Sequence, residues 1–247
     1  MKFTVLTIFP EMFDSFRAHG IIKRAIEQNK IFTSTINVRD YATDRHQMTD
    51  DRPYGGGSGM IMKPEPLAAA IRAAKEKAPT SRSILMTPQG RAFNQHLAQQ
   101  LTAFPELILI CGRYEGVDER IVQDLVDDEI SIGDYILTGG ELAAMVVIET
   151  VTRLIPGTLG AEASAEYDSF SEGLLEHAHY TRPRNFEGMQ VPEVLMSGHH
   201  QEIERWRRES SVMQTLLKRP DLLRNKKLSE SEIEILYKWY RIIKELI

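Results

Sequence analysis

The sequence predicts an α/β protein with a mostly parallel sheet, followed by a smaller and mainly helical unit. Short apolar segments alternate with helical patterns up to about residue 154, which is the order expected of a parallel sheet. Glycine-bearing turns separate several of these segments from the helices that follow. Beyond Pro156 the composition changes, and helical patterns dominate the rest of the chain.

The first third of the chain begins with a strand and contains a glycine-rich loop. Residues 2–9 are apolar and rich in β-forming types, and Pro10 suits the first turn of the helix that follows. Residues 33–38 alternate like a second strand. Residues 50–62 contain four glycines within five positions, which a helix does not tolerate, so we predict a loop. An alanine-rich helix is predicted over residues 67–77.

The middle of the chain carries the strands expected at the centre of the sheet. Residues 83–87 predict one strand, which the Pro-Gln-Gly sequence at 88–90 is expected to end. Residues 107–111 are continuously apolar, as in a strand that is buried on both faces. Residues 130–132 are predicted to be extended. Helices are predicted over residues 94–102, 118–126 and 141–154.

Two glycine-bearing runs lie close together: Cys111-Gly-Arg-Tyr-Glu-Gly-Val-Asp-Glu-Arg120 and Ser131-Ile-Gly-Asp-Tyr-Ile-Leu-Thr-Gly-Gly-Glu141. Glycine has no Cβ, so its backbone amide and carbonyl groups can approach a ligand closely. Ligands of parallel sheets bind beyond the carboxyl ends of the strands, where both runs and residues 88–90 are expected. We therefore predict a ligand pocket walled by main chain. Neither the phosphate-binding loop nor the dinucleotide-binding glycine pattern is present.

The second half of the chain predicts a linker and a helical unit. Residues 157–170 are rich in Ala, Ser, Gly and acidic types and show weak periodicity, as linkers do. A long helix is predicted from about residue 198 to 218. Ser229 and Glu232 form a capping-box pattern that opens a last helix with an apolar stripe. We divide the chain into an α/β domain (1–160), a flexible linker (161–175) and a helical domain (176–247).

The composition limits the class of protein. The 247 residues are 42% hydrophobic, which suffices for a substantial core. The formal net charge of −5 gives no overall basic field, so any contact with RNA requires a local patch. Cys111 is the single cysteine, which excludes an intrachain disulfide and suits the reducing cytoplasm. No segment is long enough to span a bilayer, and residues 3–9 are too short for a signal sequence.

Several candidate residues keep two interpretations. The histidine pairs at 177/179 and 199/200 could bind a metal, but without cysteines we favour surface or capping roles. The loop around residues 55–59 is either a plain surface loop or a wall beside a substrate. The basic residues between 199 and 228 are either solvated helix faces or contacts to RNA. Trp206 and Trp239 are expected in the core of the helical unit.

The motifs taken in order identify a family. Thr87-Pro-Gln-Gly-Arg91 precedes the two glycine-bearing runs, and Asp51-Arg-Pro-Tyr-Gly-Gly-Gly57 comes before it. His179-Tyr-Thr-Arg-Pro183 and Leu195-Met-Ser-Gly-His199 follow. Together these motifs closely resemble the bacterial tRNA (guanine-N1)-methyltransferases of the SPOUT superfamily, and the resemblance covers nearly the whole chain.

The resemblance implies a fold and a cosubstrate. The α/β domain would contain a deep trefoil knot, a rare exception to unknotted topology. S-adenosylmethionine would bind in the knot, held by main chain. The matching positions are Leu85, Thr87, Pro88, Gly112, Tyr114, Glu115, Ile132, Gly133, Asp134, Tyr135, Ile136, Leu137, Gly139 and Gly140. The enzyme would be a cytoplasmic homodimer with its active site at the subunit interface, and it would methylate N1 of guanosine 37 of tRNA, beside the anticodon.

The resemblance also suggests roles for three polar residues. N1 of guanine carries a proton at neutral pH, so methylation requires a general base. Asp168, contributed by the other subunit, matches that base. Arg153 would stabilise the negative charge that develops on O6, and Glu115 would orient the donor or the guanine. The candidates for contact with RNA are Arg182, His199, Arg207, Arg208 and Arg219. The family is associated with Mg²⁺, but the sequence specifies no metal site.

Small departures from the family pattern affect local RNA contacts. Ser58 replaces a proline, Glu176-His-Ala178 replaces a segment with cysteine and proline, and Arg184 is basic where an acid is common. Two rival interpretations remain at this stage. One is a SPOUT methyltransferase that acts on another RNA position, and the other is a catalytically silent RNA-binding protein. Asp168 with the helical unit argues against the first, and the intact glycine runs with Glu115, Arg153 and Asp168 argue against the second.

Overall fold

The structure is a computed structural model that describes residues 1–159 and 168–246. The chain divides into two compact units, residues 1–162 and 163–247. The domain boundary that the sequence predicted at residue 160 and the first part of its linker, residues 161–167, lie outside the described residues. Among the described residues, no helix has both the length and the apolar character needed to cross a membrane.

The first unit is built on a five-stranded parallel sheet, as the alternating pattern predicted. Its strands are β1 (Lys2–Thr7), β2 (Phe32–Asn37), β5 (Arg82–Ala92), β6 (Glu106–Cys111) and β7 (Asp128–Ser131). Their order across the sheet is β2-β1-β6-β5-β7, and every neighbouring pair is parallel. The most apolar segment, β6, lies at the centre, where both of its faces are buried.

Helices cover both faces of this sheet. They are α1 (Met12–Ala18), α2 (Gly20–Glu27), α3 (Pro64–Lys77), α4 (Gln95–Leu101), α5 (Glu119–Leu125) and α6 (Glu141–Arg153). Side chains alternate along β6, so Leu107 and Leu109 pack with α1, α2, α4 and α6, whereas Ile108 and Ile110 pack with α3 and α5. Alternate side chains of β6 thus pack into two separate hydrophobic cores, one on each face of the sheet.

Two expectations for the loops were wrong. The ends of the loop predicted over residues 50–62 pair as short antiparallel strands, β3 (Asp50–Asp51) and β4 (Ile61–Met62). The Pro-Gln-Gly sequence at 88–90 does not end β5, which continues beside β7 after a shift of register. Gly90 makes this passage possible, because a Cβ on it would lie 2.4 Å from the backbone of Glu129 and Ile130. The pattern of apolar residues along the sequence does not indicate that the backbone of Gly90 contacts the backbone of β7.

The second unit is mainly helical. It contains the hairpin β8 (Asn185–Phe186) and β9 (Met189–Gln190), followed by α7 (His200–Lys218), α8 (Pro220–Asn225) and α9 (Glu230–Leu246). Residues 168–175, the described end of the predicted linker, belong to this unit. Leu174 is buried, and the Leu175 amide donates to the hydroxyl of Thr215 in α7 at 2.9 Å.

The tryptophans are less buried than the sequence suggested, and the apolar stripe of α9 is exposed. Trp206 and Trp239 are only half-buried. The indole of Trp239 donates to Glu209 at 2.9 Å, which keeps its ring near the surface. The stripe of α9 that includes Tyr237 and Tyr240 is largely exposed in the single chain. A helical period therefore identified the helix but not the burial of its apolar face.

The predicted capping box forms at the start of α9. The Ser229 amide donates to Glu232 at 2.7 Å, and the Glu232 amide donates to the Ser229 hydroxyl at 3.3 Å. Glu232 is fully buried and also accepts from Arg208 of α7 at 2.9 Å and pairs with Lys226 at 3.2 Å. Burial raises the pKa of Glu232, but the Ser229 amide, Lys226 and Arg208 outweigh it, so that its pKa is lowered.

Replacing Glu232 by glutamine is expected to lower the free energy of unfolding by about 2 kcal/mol at neutral pH. Because the folded-state pKa is lowered, the ionised carboxylate stabilises the fold above the unfolded value of about 4.3, and this contribution is lost as the pH falls through the folded pKa. Denaturant unfolding of wild type and variant from pH 7 to pH 3 measures the difference. Glu234→Gln, at an exposed site on the same helix, is the control, and a pH-independent difference would contradict the assignment.

Candidate active site

A cavity lies beside the middle of β5, where its register shifts, at the carboxyl end of β7 and beside the start of α6. Eight residues of the predicted donor site line it: Thr87, Pro88, Ile132, Gly133, Tyr135, Leu137, Gly139 and Gly140. Met86, Ile130, Ser131 and Ala143 complete the wall, and the sequence had not singled these out. Ile130 and Ser131 end β7 and Ala143 lies in the first turn of α6, so their position in the sheet could have suggested them, whereas Met86 lies within β5.

The other predicted donor residues lie outside this wall. Leu85 is buried among the side chains of α3 and α5, on the opposite face of the sheet. Asp134 and Ile136 are exposed on the loop before α6. Gly112, Tyr114 and Glu115 belong to the loop after β6, which runs beside the wall. The structure therefore brings one subset of the predicted residues around the cavity and places the rest next to it or away from it.

The two glycine-bearing runs touch each other directly. The Gly140 amide donates to the Gly112 carbonyl at 2.9 Å. A Cβ on Gly140 would lie 2.8 Å from Cα of Cys111, which is closer than real Cβ atoms come to a backbone atom. It would also lie 3.2 Å from the Gly112 nitrogen. Gly133 has a φ of 148°, which favours glycine, and the Tyr135 ring packs against its Cα. Glycine is thus required here for backbone contact within the protein.

A buried ion pair holds these runs to the end of β1. Arg113 donates through Nε to Glu141 at 2.9 Å, and the Glu141 side chain is only 1% exposed. The Thr7 hydroxyl also donates to Glu141, at 2.7 Å, while accepting from the Phe9 amide at 2.9 Å. The Arg113 guanidinium lies 4.5 Å from the centre of the Phe9 ring. One carboxylate thereby joins three chain segments beside the cavity.

The same pair acts on the neighbouring cysteine. Burial raises the pKa of Cys111 well above its usual value, the Glu141 carboxylate raises it further, and Arg113 opposes them only in part. The Cys111 thiol is therefore protonated and inert in the folded protein. Sequence analysis missed Arg113, Glu141 and Thr7 as a unit, although an acid at the first position of an apolar helix is a recognisable signal.

Glu141→Gln is expected to destabilise the fold by about 2 kcal/mol, because the half-buried Arg113 loses its charged partner. The two glycine runs should loosen together, so affinity for a ligand of the cavity should fall about tenfold, which corresponds to about 1.4 kcal/mol. Thermal unfolding and calorimetric titration with S-adenosylmethionine measure the two effects. Glu149→Gln, at an exposed position of the same helix, should change neither. Unchanged stability of the Glu141 variant would contradict the role of this pair.

Glu115 lies against the glycine-rich loop of residues 55–59. A Cβ on Gly59 would lie 2.5 Å from Glu115 Cγ, and the Glu115 amide donates to the Met60 carbonyl at 2.9 Å. Tyr114, beside it, has a φ of 61°, which is uncommon for a residue with a side chain. These contacts favour the interpretation of this loop as a wall beside the site over that of an unattached surface loop.

Arg153 and the cavity lie at opposite ends of one helix. Glu141 is the first residue of α6 and Arg153 the last, so the 13 residues place them about 18 Å apart along the axis. That distance exceeds the reach of an arginine side chain. Asp168 is half-buried in the second unit, where its carbonyl accepts from the Ser171 amide at 3.1 Å. Arg153 therefore does not reach the cavity of its own chain.

Three of the five predicted RNA-binding residues are engaged in ion pairs. Arg207 pairs with Glu204 at 3.7 Å, and Arg219 pairs with Asp221 at 2.7 Å. Arg208 bridges Glu172 and the buried Glu232, which gives it a structural role. Arg182 and His199 are exposed. Across residues 1–159 and 168–246, no group of three or more His, Cys, Asp or Glu side chains is arranged to hold a metal ion.

Comparison with known proteins gives the same family as the motifs did. The family described as tRNA (Guanine-1)-methyltransferase TrmD matches residues 1–225. The chain belongs to this family. Helix α9 lies beyond the matched segment, but relatives within the family extend over it.

Curated members of the family are similar over their full length. A tRNA (guanine-N(1)-)-methyltransferase of Desulfatibacillum aliphaticivorans is 56% identical over 247 residues, which is all of this chain and 94% of the relative. That of Geobacter sulfurreducens is 57% identical over 236 residues, or 96% of each chain. That of Carboxydothermus hydrogenoformans is 53% identical over 240 residues, covering 97% of this chain and 94% of the relative.

Proposed function

We propose that this protein transfers the methyl group of S-adenosylmethionine to N1 of guanosine 37 in tRNA. The observation that carries the proposal is the cavity walled by main chain beside β5 and the end of β7, in a chain that belongs to the tRNA (guanine-1)-methyltransferase family. A family of this kind uses S-adenosylmethionine as donor, and the names of the relatives specify guanine N1 of tRNA. Position 37 rests on the resemblance of the motifs.

The cavity has the character that a methyl donor requires. Its wall combines apolar side chains such as Ile130 and Leu137 with main chain at Gly133, Gly139 and Gly140, so it offers both apolar surface and backbone polar groups. We assign the donor to this wall, with Thr87 and Pro88 on one side and Tyr135 on the other. The bound donor supplies an electrophilic methyl group that needs little further activation.

We also propose that the first unit contains the trefoil knot of the SPOUT fold. The contact of Gly140 with Cys111 and Gly112 supports this, because it places the segment before α6 tightly against the segment after β6. A chain that threads through its own loop brings two segments into close contact, and glycine where they touch allows that contact.

Residues of the protein would accept the proton of N1 and stabilise the negative charge on the base. We propose that Asp168 accepts the proton of N1, after which the nitrogen lone pair forms a bond to the methyl carbon and the bond from that carbon to sulfur breaks. Arg153 would hold O6, where negative charge develops, because its guanidinium is always cationic and donates only. Glu115, fixed against Gly59, would orient the base or the donor. Alignment contributes most of the remaining acceleration.

A homodimer would complete this site. Arg153 lies about 15 Å along α6 from Ala143, the residue of that helix that lines the cavity, so it cannot act there in its own chain. We propose that the cavity and Glu115 come from one subunit, and that Arg153 and Asp168 come from its partner. Binding of tRNA would bring Asp168 to N1 of the base, which couples substrate binding to assembly of the site.

The proposed reaction also indicates the substrate, the location in the cell and the role of metal ions. The substrate is tRNA with guanosine at position 37, an unpaired loop base that can be extruded at low cost. A tRNA substrate and a single buried thiol favour a cytoplasmic location. The part of the chain that the structure describes offers no carboxylate cluster for Mg²⁺, and no step of the proposed reaction uses that ion.

Mapping the methylated nucleotide tests the function. The protein is incubated with unmodified tRNA and S-adenosylmethionine, and the product is digested and analysed by mass spectrometry. We expect a single methyl group on N1 of guanosine 37, and no product from tRNA with adenosine at that position. Methylation elsewhere would indicate a related enzyme with another target. Calorimetry on the free protein distinguishes a silent module, which would not bind the donor.

A further inference from the structure

An exposed segment of the second unit combines aromatic rings with arginines. Residues 179–190 are all exposed, and within them Tyr180 and Phe186 flank Arg182 and Arg184. Among the described residues, no carboxylate lies within ion-pair distance of either arginine, and Glu187 is the single acid in the segment. We infer that this segment is a binding surface for unpaired RNA, in which the rings stack on bases and the arginines contact phosphates.

The structure of the segment holds the rings in place. Tyr180 is 51% exposed, and its ring centre lies 6.1 Å from that of Trp206 in α7, edge to face. Trp206 is in turn 6.3 Å from the ring of His177. This packing anchors one side of the Tyr180 ring to the helical unit and leaves the rest open. A ring fixed in this way presents a stacking surface with little loss of conformational entropy on binding.

The second ring stands at the tip of the hairpin. Glu187 and Gly188 both have positive φ values, 51° and 88°, as in a tight two-residue turn between β8 and β9. Phe186 is directly paired with Met189, so both side chains lie on one face, where they are 57% and 65% exposed. The turn therefore displays an apolar tip next to Arg184.

Charge distinguishes RNA from a protein partner as the occupant. Arg207, Arg208 and Arg219 are already paired with acids, so their charge is largely compensated within the unit. Arg182 and Arg184 lie between the exposed rings of Tyr180 and Phe186, and no acid among the described residues pairs with either arginine. Phosphates and unstacked bases satisfy both features at once. The inference rests on the proposed function to the extent that the RNA is taken to be the loop of the tRNA substrate.

The test measures the affinity of full-length protein for an unmodified tRNA transcript with guanosine 37, at several salt concentrations. Phe186→Ala should weaken binding about tenfold with an unchanged salt dependence, since stacking is not ionic. Arg184→Gln should weaken it severalfold and reduce the slope of log affinity against log salt by about 0.7, the value for one phosphate contact on a single strand. Affinity for S-adenosylmethionine should stay at the wild-type value in both.

Matched controls are available in the first unit. Phe32→Ala removes an exposed ring from the edge strand β2, and Arg72→Gln removes an exposed arginine, and neither should change RNA affinity. Wild-type affinity in both hairpin variants would overturn the inference, as would an altered oligomeric state with unchanged RNA affinity, which would indicate a protein contact. Wild-type protein that binds tRNA through this segment without methylating it would overturn the proposed function alone. Methylation with unaffected hairpin variants would overturn the inference alone.

Discussion

Replacing Asp168 by asparagine is expected to reduce the rate of methyl transfer about a thousandfold, within the range that a positioned general base contributes. Asparagine has nearly the same shape but accepts no proton, so N1 of guanine would keep its hydrogen and remain a poor nucleophile. Single-turnover methylation with saturating tRNA and donor measures this effect, because it isolates the chemical step from product release.

Two comparisons separate this role from a structural one. Affinity for S-adenosylmethionine should remain near the wild-type value, because Asp168 belongs to the second unit and the cavity to the first. Glu193→Gln removes an exposed carboxylate from the same unit and should keep the wild-type rate. If the Asp168 variant transferred methyl groups at the wild-type rate, another group would have to take the proton. If it lost donor affinity instead, Asp168 would hold the donor.

Gly140→Ala is expected to have the largest effect on the fold, with a loss of about 3 kcal/mol in the free energy of unfolding. The added methyl group would lie 2.8 Å from Cα of Cys111 and 3.0 Å from Cβ of Met86, and both belong to central strands that cannot move aside. Chemical denaturation measures the loss. Donor affinity in the fraction that folds should fall more than tenfold, because the wall of the cavity is displaced.

Gly112→Ala provides the matched comparison, since Gly112 is the partner of Gly140 in the same contact. A Cβ on Gly112 would meet Val117 at 3.5 Å and Leu85 at 3.8 Å, which are ordinary contact distances. We expect this variant to lose about 1 kcal/mol or less. Equal stability of the two variants would show that the contact between the glycine runs is not as close as the structure has it.

The fold class was predictable because it depends on periodicity, which is local. The continuous apolar run of β6 and the alternation of strands with helices indicated a parallel sheet, and the sheet has that form. The capping box at Ser229 predicted the start of α9 from two residues, because both of its hydrogen bonds close within one turn. In contrast, the passage of β5 past residues 88–90 was not predictable, because it depends on backbone contact between Gly90 and β7.

The candidate site was only partly predictable for the same reason. The glycine runs indicated a main-chain pocket, and the resemblance of the motifs identified the family. The buried pair of Arg113 and Glu141 joins residues 28 positions apart and includes Thr7 from the first strand, so no local pattern reveals it. The distance between Arg153 and the cavity likewise depends on the direction of α6.

By itself, the amino-acid sequence determined the order of strands and helices, the family and the chemical types of residue available for catalysis. These follow from side-chain type and spacing along the chain. Only the tertiary structure decided which glycines touch backbone and which arginines of the described residues pair with acids. Those properties depend on atoms brought within a few ångströms from distant positions, where sterics and charge act through space and not along the sequence.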